Sequence, residues 1–433
     1  METLTDTLAN THLSGPPEQL EQLLFRPQVG SGLVPTALDN VPHYLFRVVS
    51  PNSVGTTNET WVHSESVSQN QGSSMEDVFF NLNSEKRTTI ARTLNLHLRW
   101  WPKDDGTCDN FVSWTSSLLF AIQYIYYRHL NPEDGSNLQQ IKLYAIDTRQ
   151  FPKGTFLCDL DLIDTFWESD NHPSRKNLES FRYLRNKTQY YFGEYLSQGS
   201  LKIEGKCEVI CAQSLFENDR LRRLQPHFRE FQNFPFNKGR PILPQEVLRL
   251  RESIWQPSDL QSPSSADIGD RLEAVKEIVQ NIEPRWRLPL AIYFTSLIGQ
   301  VSFIEERGAA IHNIFFEILQ STFPGDLKGQ RALRPYDVKI ITPDTMPEMK
   351  QVKGLVHELY KYHALENALG SLDRVATAEA SIRGLHFDNV FSADEHAFVL
   401  ADRNELLDRT GQSLLTKLRS VQYLCEKVIS AIS

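Results

Sequence analysis

Long apolar runs are missing from this chain of 433 residues. The longest, Leu288 to Gly299, is broken by Pro289, Tyr293, Thr295 and Ser296 and is too short to span a bilayer, so it is expected to be a buried helix. A secretory leader is also missing. Met1 to Gln19 is rich in Thr, Ser, Pro and acids, with neither a basic start nor an apolar core. The expectation is an intracellular protein, cytoplasmic or nuclear, with no membrane association. Cysteine is scarce: Cys108, Cys158, Cys207, Cys211 and Cys425 form an odd, scattered set, which argues against a disulfide framework and for reduced thiols. Only Cys207 and Cys211 lie close together, and their strand-like setting without a histidine cluster favours small buried residues over a zinc site. None of the 12 histidines falls in a His-Glu-x-x-His or comparable spacing, so no metal is expected. Positive charge is in deficit as well. A net charge of −9 opposes nonspecific attraction to nucleic-acid phosphates, and the basic run from Asp219 to Arg223 is expected on a solvated helix face.

What is present points to two folded units, because the chain is too long for one typical core. Residues 1–40 carry Gly15-Pro16-Pro17 and Gly30-Ser31-Gly32 around one weakly amphipathic piece near Leu20 to Phe25, and are expected to form a flexible N-terminal arm. From His43 short β-like runs (Tyr44 to Val49, Phe111 to Thr115, Ile141 to Ile146, Cys207 to Ala212) alternate with loops and helical patterns, which predicts an α+β domain over residues 41–215. Within it, Asn52 to Ser74 reads as a long polar loop and Met75 to Leu98 as one or two helices. Residues 216–266 are charged and proline-punctuated, with linker composition from Gln256 to Ala266, and are expected to connect the units. Residues 267–433 read as mainly helical, with apolar spacing in Ile268 to Ile282, Leu288 to Leu319, Val352 to Leu369 and Leu414 to Ile429, interrupted by a β-like Val338 to Ile341. The seam of the last helix (Leu414, Leu415, Leu418, Val421, Leu424, Cys425 and Val428) suits packing within the chain, a homodimer or a partner.

Three segments carry residues out of place in a plain core. In Tyr44 to Val49, alternation puts Arg47 on the face of Leu45 and Val49, where a guanidinium needs a partner: a carboxylate at the sheet end, or an anionic ligand matched to its planar fork. In Phe111 to Ile122, a strand would point Ser113 and Thr115 to one side. Ser116 or Ser117 would then cap a helix whose buried stripe is Leu118, Ala121, Ile122 and Ile125. In Tyr190 to Leu201, Glu194 enters a β-like run beside aromatic and glycine residues, where a desolvated carboxylate needs donors unless it sits at the surface.

Taken in order, Leu45-Phe46-Arg47, Phe111-Val112-Ser113-Trp114-Thr115-Ser116 with Ala121 behind it, and Gly193-Glu194-Tyr195-Leu196 resemble the Arg, Ser-Thr-Ser and Glu motifs of the Arg-Ser-Glu class of ADP-ribosyltransferases. The pattern also looks like a domain family of unknown function abundant in filamentous fungi. The resemblance covers about 170 residues, roughly one domain's length, and implies a split-sheet domain followed by the helical half. It implies NAD as co-substrate, Arg47 on an NAD phosphate or ribose, Ser113 bracing the pocket and bonding the catalytic carboxylate, and Glu194 as that carboxylate. Thr115 and Tyr191 are carried with Arg47 and Ser113 as residues of the NAD pocket. Tyr190, Tyr191 and Trp114 are rings that would sandwich nicotinamide or simply pack a core. Two positions depart from the motifs: Trp114 replaces Thr, a packing matter, and Phe192 stands two before Glu194, where many transferases carry Glu or Gln to orient the acceptor. Two functions follow: ADP-ribosyl transfer to a protein or small molecule, or NAD glycohydrolysis, against an inactive binding module joined to a helical partner-interaction domain.

Overall fold

The computed structural model describes residues 22–101, 108–172, 176–256, 265–299 and 346–356, together with positions 419, 422, 423 and 426 near the C-terminus. The chain divides into two compact units, one formed by Met1–Glu217, Arg229–Arg251 and Lys339–Met346, the other by Asn218–Phe228, Glu252–Val338 and Pro347–Ser433.

The first unit is built on one antiparallel sheet. Its strands are β1 (Gln22–Leu23), β2 (Tyr44–Val49), β3 (Thr56–Thr57), β4 (Trp61–His63), β5 (Phe111–Thr115), β6 (Lys142–Asp147), β7 (Leu157–Cys158), β8 (Glu194–Lys202) and β9 (Cys207–Cys211). The order across the sheet is β3-β4-β8-β5-β2-β6-β9, with β1 and β7 also pairing with β8. The strands expected from alternation and β-branched content are therefore present almost to the residue. With the helices described next they make the unit α+β. Helix α1 is Glu65–Ser68, α2 is Ser84–Arg99 and α3 is Leu118–Leu130. Asn83 caps α2, its Oδ1 accepting from Lys86 N at 2.8 Å, and Ser117 caps α3 by accepting from Phe120 N at 3.1 Å. The stripe Leu118, Ala121, Ile122 and Ile125 is fully buried, as its spacing predicts. Helices α4 (Asp159–Phe166) and α5 (Leu178–Asn186) follow. Their Leu162, Ile163, Phe166, Leu178 and Phe181 join Ile90, Leu94 and Leu98 of α2 in one core cluster.

Three expectations change. Residues 22–40 are not a free arm: β1 pairs with β8, and Phe25 is buried, its N–H donating to Gly154 O at 2.7 Å. Three apolar residues in the core outweigh the glycine-rich composition, since Ala37 and Leu33 also pack inward. The Asn52 to Ser74 loop contains β3, β4 and α1. Asn58 Oδ1 accepts from Thr60 N and Trp61 N at 2.8 Å each, a side-chain turn that joins two strands polar enough to read as loop. The connector is no linker over most of its length. Phe231 and Phe234 pack around the Tyr126 ring, whose hydroxyl donates to Arg229 O at 2.8 Å, and α8 (Leu243–Trp255) buries Leu243, Val247 and Leu250. Between the segments holding these contacts, α6 (Ala212–Phe216) and α7 (Arg220–Leu224) continue the helical order.

The second unit is helical over its described part, with α7, α9 (Ser265–Val279), α10 (Pro284–Ser296) and a helix over 347–356. Every residue from Leu288 to Ser296 is buried, as expected for that run. Arg220 does not lie on a solvated face. It is buried, and with Arg223 it meets Glu277 at 3.4 and 2.8 Å. The β-like Val338 to Ile341 and the apolar seam from Leu414 lie outside the described residues. No helix among the described residues is long and apolar enough to cross a membrane.

Candidate functional site

The sheet registers bring three distant segments together. Antiparallel pairing sets Thr115 opposite Glu194 and Ser113 opposite Leu196, while β2 and β5 bridge at the pair Phe46 and Thr115. Arg47, one residue past that bridge, lays its Nη1 2.9 Å from Ser113 O. The Ser113 hydroxyl donates to Glu194 Oε1 at 2.8 Å. Arg47, Ser113 and Glu194 thus form a continuous series, and all three line one cavity of about 580 Å³, within the usual span of small-molecule sites.

The two charged ends of this series are treated differently. Among the described residues Arg47 makes no ion pair; its other bond runs from Nε to Thr57 Oγ1 at 3.4 Å. Burial lowers its pKa to about 10, with Arg128 pushing the same way. Of the two partners expected for this guanidinium, the carboxylate is absent among the described residues; a hydroxyl and a carbonyl meet it instead. Glu194, 12% exposed at its side chain, is held on both oxygens: Arg185 Nη2 donates to Oε2 at 2.6 Å. Behind Arg185 lies Asp159, fully buried, 3.5 Å from Nε without hydrogen-bond geometry. Burial pushes the Asp159 carboxyl up to about 7; Arg185 opposes and Glu194 reinforces that shift.

Gly193 sets the strand that carries Glu194. Its φ is +68°, and a Cβ there would collide with Ser116 Oγ, while its carbonyl accepts from Ser116 N at 2.8 Å. Thr115 lines the cavity, but its hydroxyl donates to Phe192 O at 2.7 Å and accepts from Ser117 N at 3.0 Å. It shapes the turn and has little left for a ligand. Tyr191 is a correction. It is 0% exposed, its hydroxyl sits 3.5 Å from Cys158 Sγ, and it does not line the cavity: in the irregular segment before β8 its ring enters the core, while Phe192 faces the site. Trp114 borders the cavity, but its ring is packed inside, Nε1 donating to Ser197 Oγ at 3.0 Å.

Further rings line the cavity from other elements. Trp100, the left-handed cap residue of α2, lies 5.1 Å from Tyr124 and 5.7 Å from Tyr127 between ring centroids, and Tyr124 stacks on Phe120 at 6.2 Å. Phe120 in turn stacks on Phe192 at 5.1 Å. The signal was available in the sequence: Phe120, Tyr124 and Tyr127 recur at helical spacing on the face opposite the buried stripe of α3. Sequence reasoning also missed His97 and Asp109. Asp109 Oδ2 lies 2.8 Å from His97 Nδ1, and His97 Nε2 lies 2.8 Å from Ser113 Oγ. No group of His, Cys, Asp and Glu among the described residues is arranged to hold a metal.

Residues 40–204 match the family described as Domain of unknown function (DUF7587). That span runs from just before β2 through β8 and includes Arg47, His97, Ser113, Arg185 and Glu194. No curated protein and no solved structure matches the chain.

Proposed function

We propose that the cavity binds a dinucleotide of the NAD type and cleaves its nicotinamide-ribose bond, with Glu194 as the catalytic carboxylate. The observation that carries this reading is the hydrogen-bonded series Arg47, Ser113, Glu194 within one cavity, in the motif order that resembles the Arg-Ser-Glu ADP-ribosyltransferases. Arg47, short of a carboxylate, would take a phosphate of the dinucleotide. The ring ladder of Trp100, Tyr124 and Phe120 offers faces for the nicotinamide or adenine.

Cleavage breaks the bond from the ribose anomeric carbon to the pyridinium nitrogen, whose electron pair stays with nicotinamide. Glu194 would stabilise the oxocarbenium ion left behind and accept a hydrogen bond from a ribose hydroxyl. Phe192 packs between Phe120 and the guanidinium groups of Arg185 and Arg251, and offers no group to orient a protein side chain. Water is therefore the acceptor favoured here, with release of a proton to solvent.

One observation favours a second reading, a binding module without turnover: Arg185 already occupies Glu194 Oε2. The test is to measure nicotinamide release from NAD by the full chain, alongside calorimetric NAD binding, for the native protein and Glu194→Gln. Release that the substitution abolishes supports the enzyme. Binding without release selects the second reading, and neither binding nor release defeats both.

A further inference from the structure

The Ser113 hydroxyl has one hydrogen and two neighbours at the same distance, His97 Nε2 and Glu194 Oε1, each 2.8 Å away. Where that hydrogen points is decided by the other side of the imidazole. Asp109 is buried, and its Oδ1 accepts from Phe111 N at 2.9 Å while Oδ2 meets His97 Nδ1. A carboxylate fixed this way accepts, so Nδ1 carries a hydrogen. Two arrangements are then open around Ser113, and only the first puts a hydrogen in both 2.8 Å contacts. With His97 as imidazolium, Nε2 donates to Ser113 and Ser113 donates to Glu194. With His97 neutral, Ser113 donates to Nε2, and Glu194 Oε1 loses its donor from the protein.

We propose that Asp109 and His97 form a switch on the Ser113 hydroxyl that determines whether Glu194 Oε1 is engaged by the protein or presented to a ligand hydroxyl. The inference deepens the site described above and rests on Glu194 being the group that meets the ligand. His97 is a positioning residue in this scheme, acting through Ser113. It is held at the last turn of α2, where it faces Asp109 from the segment before β5, Ser113 on β5, and, around the same cavity, Glu194 on β8, Arg47 on β2 and Glu65 on α1. Arg185 stays on Oε2 in both states, so the switch changes only the oxygen that Ser113 reaches. No net chemistry is required: one proton leaves His97 to solvent as pH rises, and one hydroxyl rotates.

The neutral form is the competent one, so nicotinamide release is expected to rise with pH through the titration of His97. The experiment follows that titration by nitrogen NMR of the full chain carrying 15N-histidine, with His97→Asn used for assignment. Glu194→Ala removes the acceptor that the imidazolium arrangement needs, and should move the His97 nitrogen titration to lower pH. With Ser113→Ala in the background, most of that displacement should vanish. Asp109→Asn should move the titration and the rising limb of nicotinamide release together. If it does not fold, the Glu194 and Ser113 variants still decide the matter. A His97 titration indifferent to Glu194→Ala, or the same displacement with and without Ser113, overturns the switch. A switch seen by NMR in a protein that neither binds nor cleaves NAD would instead overturn the dinucleotide reading alone.

Discussion

Arg47 lines the cavity and Arg185 pairs with its Glu194, and the surroundings of the two arginines differ in one respect. Arg185 sits between two carboxylates, 2.6 Å from Glu194 and 3.5 Å from Asp159, with its guanidinium also over the Phe181 and Phe192 rings. Among the described residues Arg47 has a hydroxyl, a carbonyl and no carboxylate. Charge at the Glu194 end is neutralised from within the fold, whereas among the described residues no counter-ion meets Arg47. A buried cation without a counter-ion costs stability, and the proposed dinucleotide phosphate would offset that cost.

The contrast can be broken most severely at Arg185. Arg185→Met leaves Asp159 and Glu194 facing each other without a cation, and is expected to cost about 3–5 kcal/mol, the range for an orphaned buried charge, read as a lower Tm and denaturation midpoint. An unchanged Tm would mean that the pair does not hold this end together. Glu194→Gln keeps the shape and the Ser113 contact but removes the charge. Nicotinamide release should fall about a hundredfold or more, the scale for losing one transition-state electrostatic partner, with NAD binding nearly unchanged. Arg47→Met should behave in the opposite sense to Arg185→Met. Tm should hold or rise because a desolvated cation is gone, while NAD binding weakens by about tenfold, as expected from one lost charge-assisted hydrogen bond. A fall in Tm with binding intact would show that Arg47 is a structural residue.

The Arg185 and Asp159 pair also carries a pH dependence. The folded-state pKa of Asp159 is raised to about 7 from an ordinary 3.8, so the native state binds the extra proton. Its contribution is favourable at acid pH, is lost progressively as pH climbs from about 4 toward 7, and stays lost above that. Asp159→Asn should flatten this slope in denaturation midpoints measured between pH 4 and 8. Asp161, raised to about 6 by burial and by Asp164, titrates in an overlapping window, and Asp161→Asn in parallel separates the two.

Local pattern was enough for the strands at Tyr44, Phe111 and Cys207, and for the Ser117 cap and the buried stripe behind it. Each of these is written in a few neighbouring residues whose alternation or spacing has one physical solution. The folded Asn52 to Ser74 segment and the docking of residues 22–40 were not legible, because polar composition gives way to pairing with β8, a strand more than 120 residues away. Tyr191 and Phe192 show the limit at a single step: adjacent aromatics look alike in sequence, and only the direction of strand entry after Gly193 decides which one meets the cavity.

Sequence alone singled out Arg47, Ser113 and Glu194 as candidates, polar groups on strands that otherwise bury their side chains, and their order supplied the resemblance. Tertiary structure decided what each of them can do. Pairing of β2, β5 and β8 joined the three into one series, helix α5 placed Arg185 on Glu194, and the end of α2 set His97 and Asp109 behind Ser113. Hydrogen bonds of 2.6 to 2.9 Å between residues up to 81 positions apart depend on how the elements pack, and no local pattern encodes that distance.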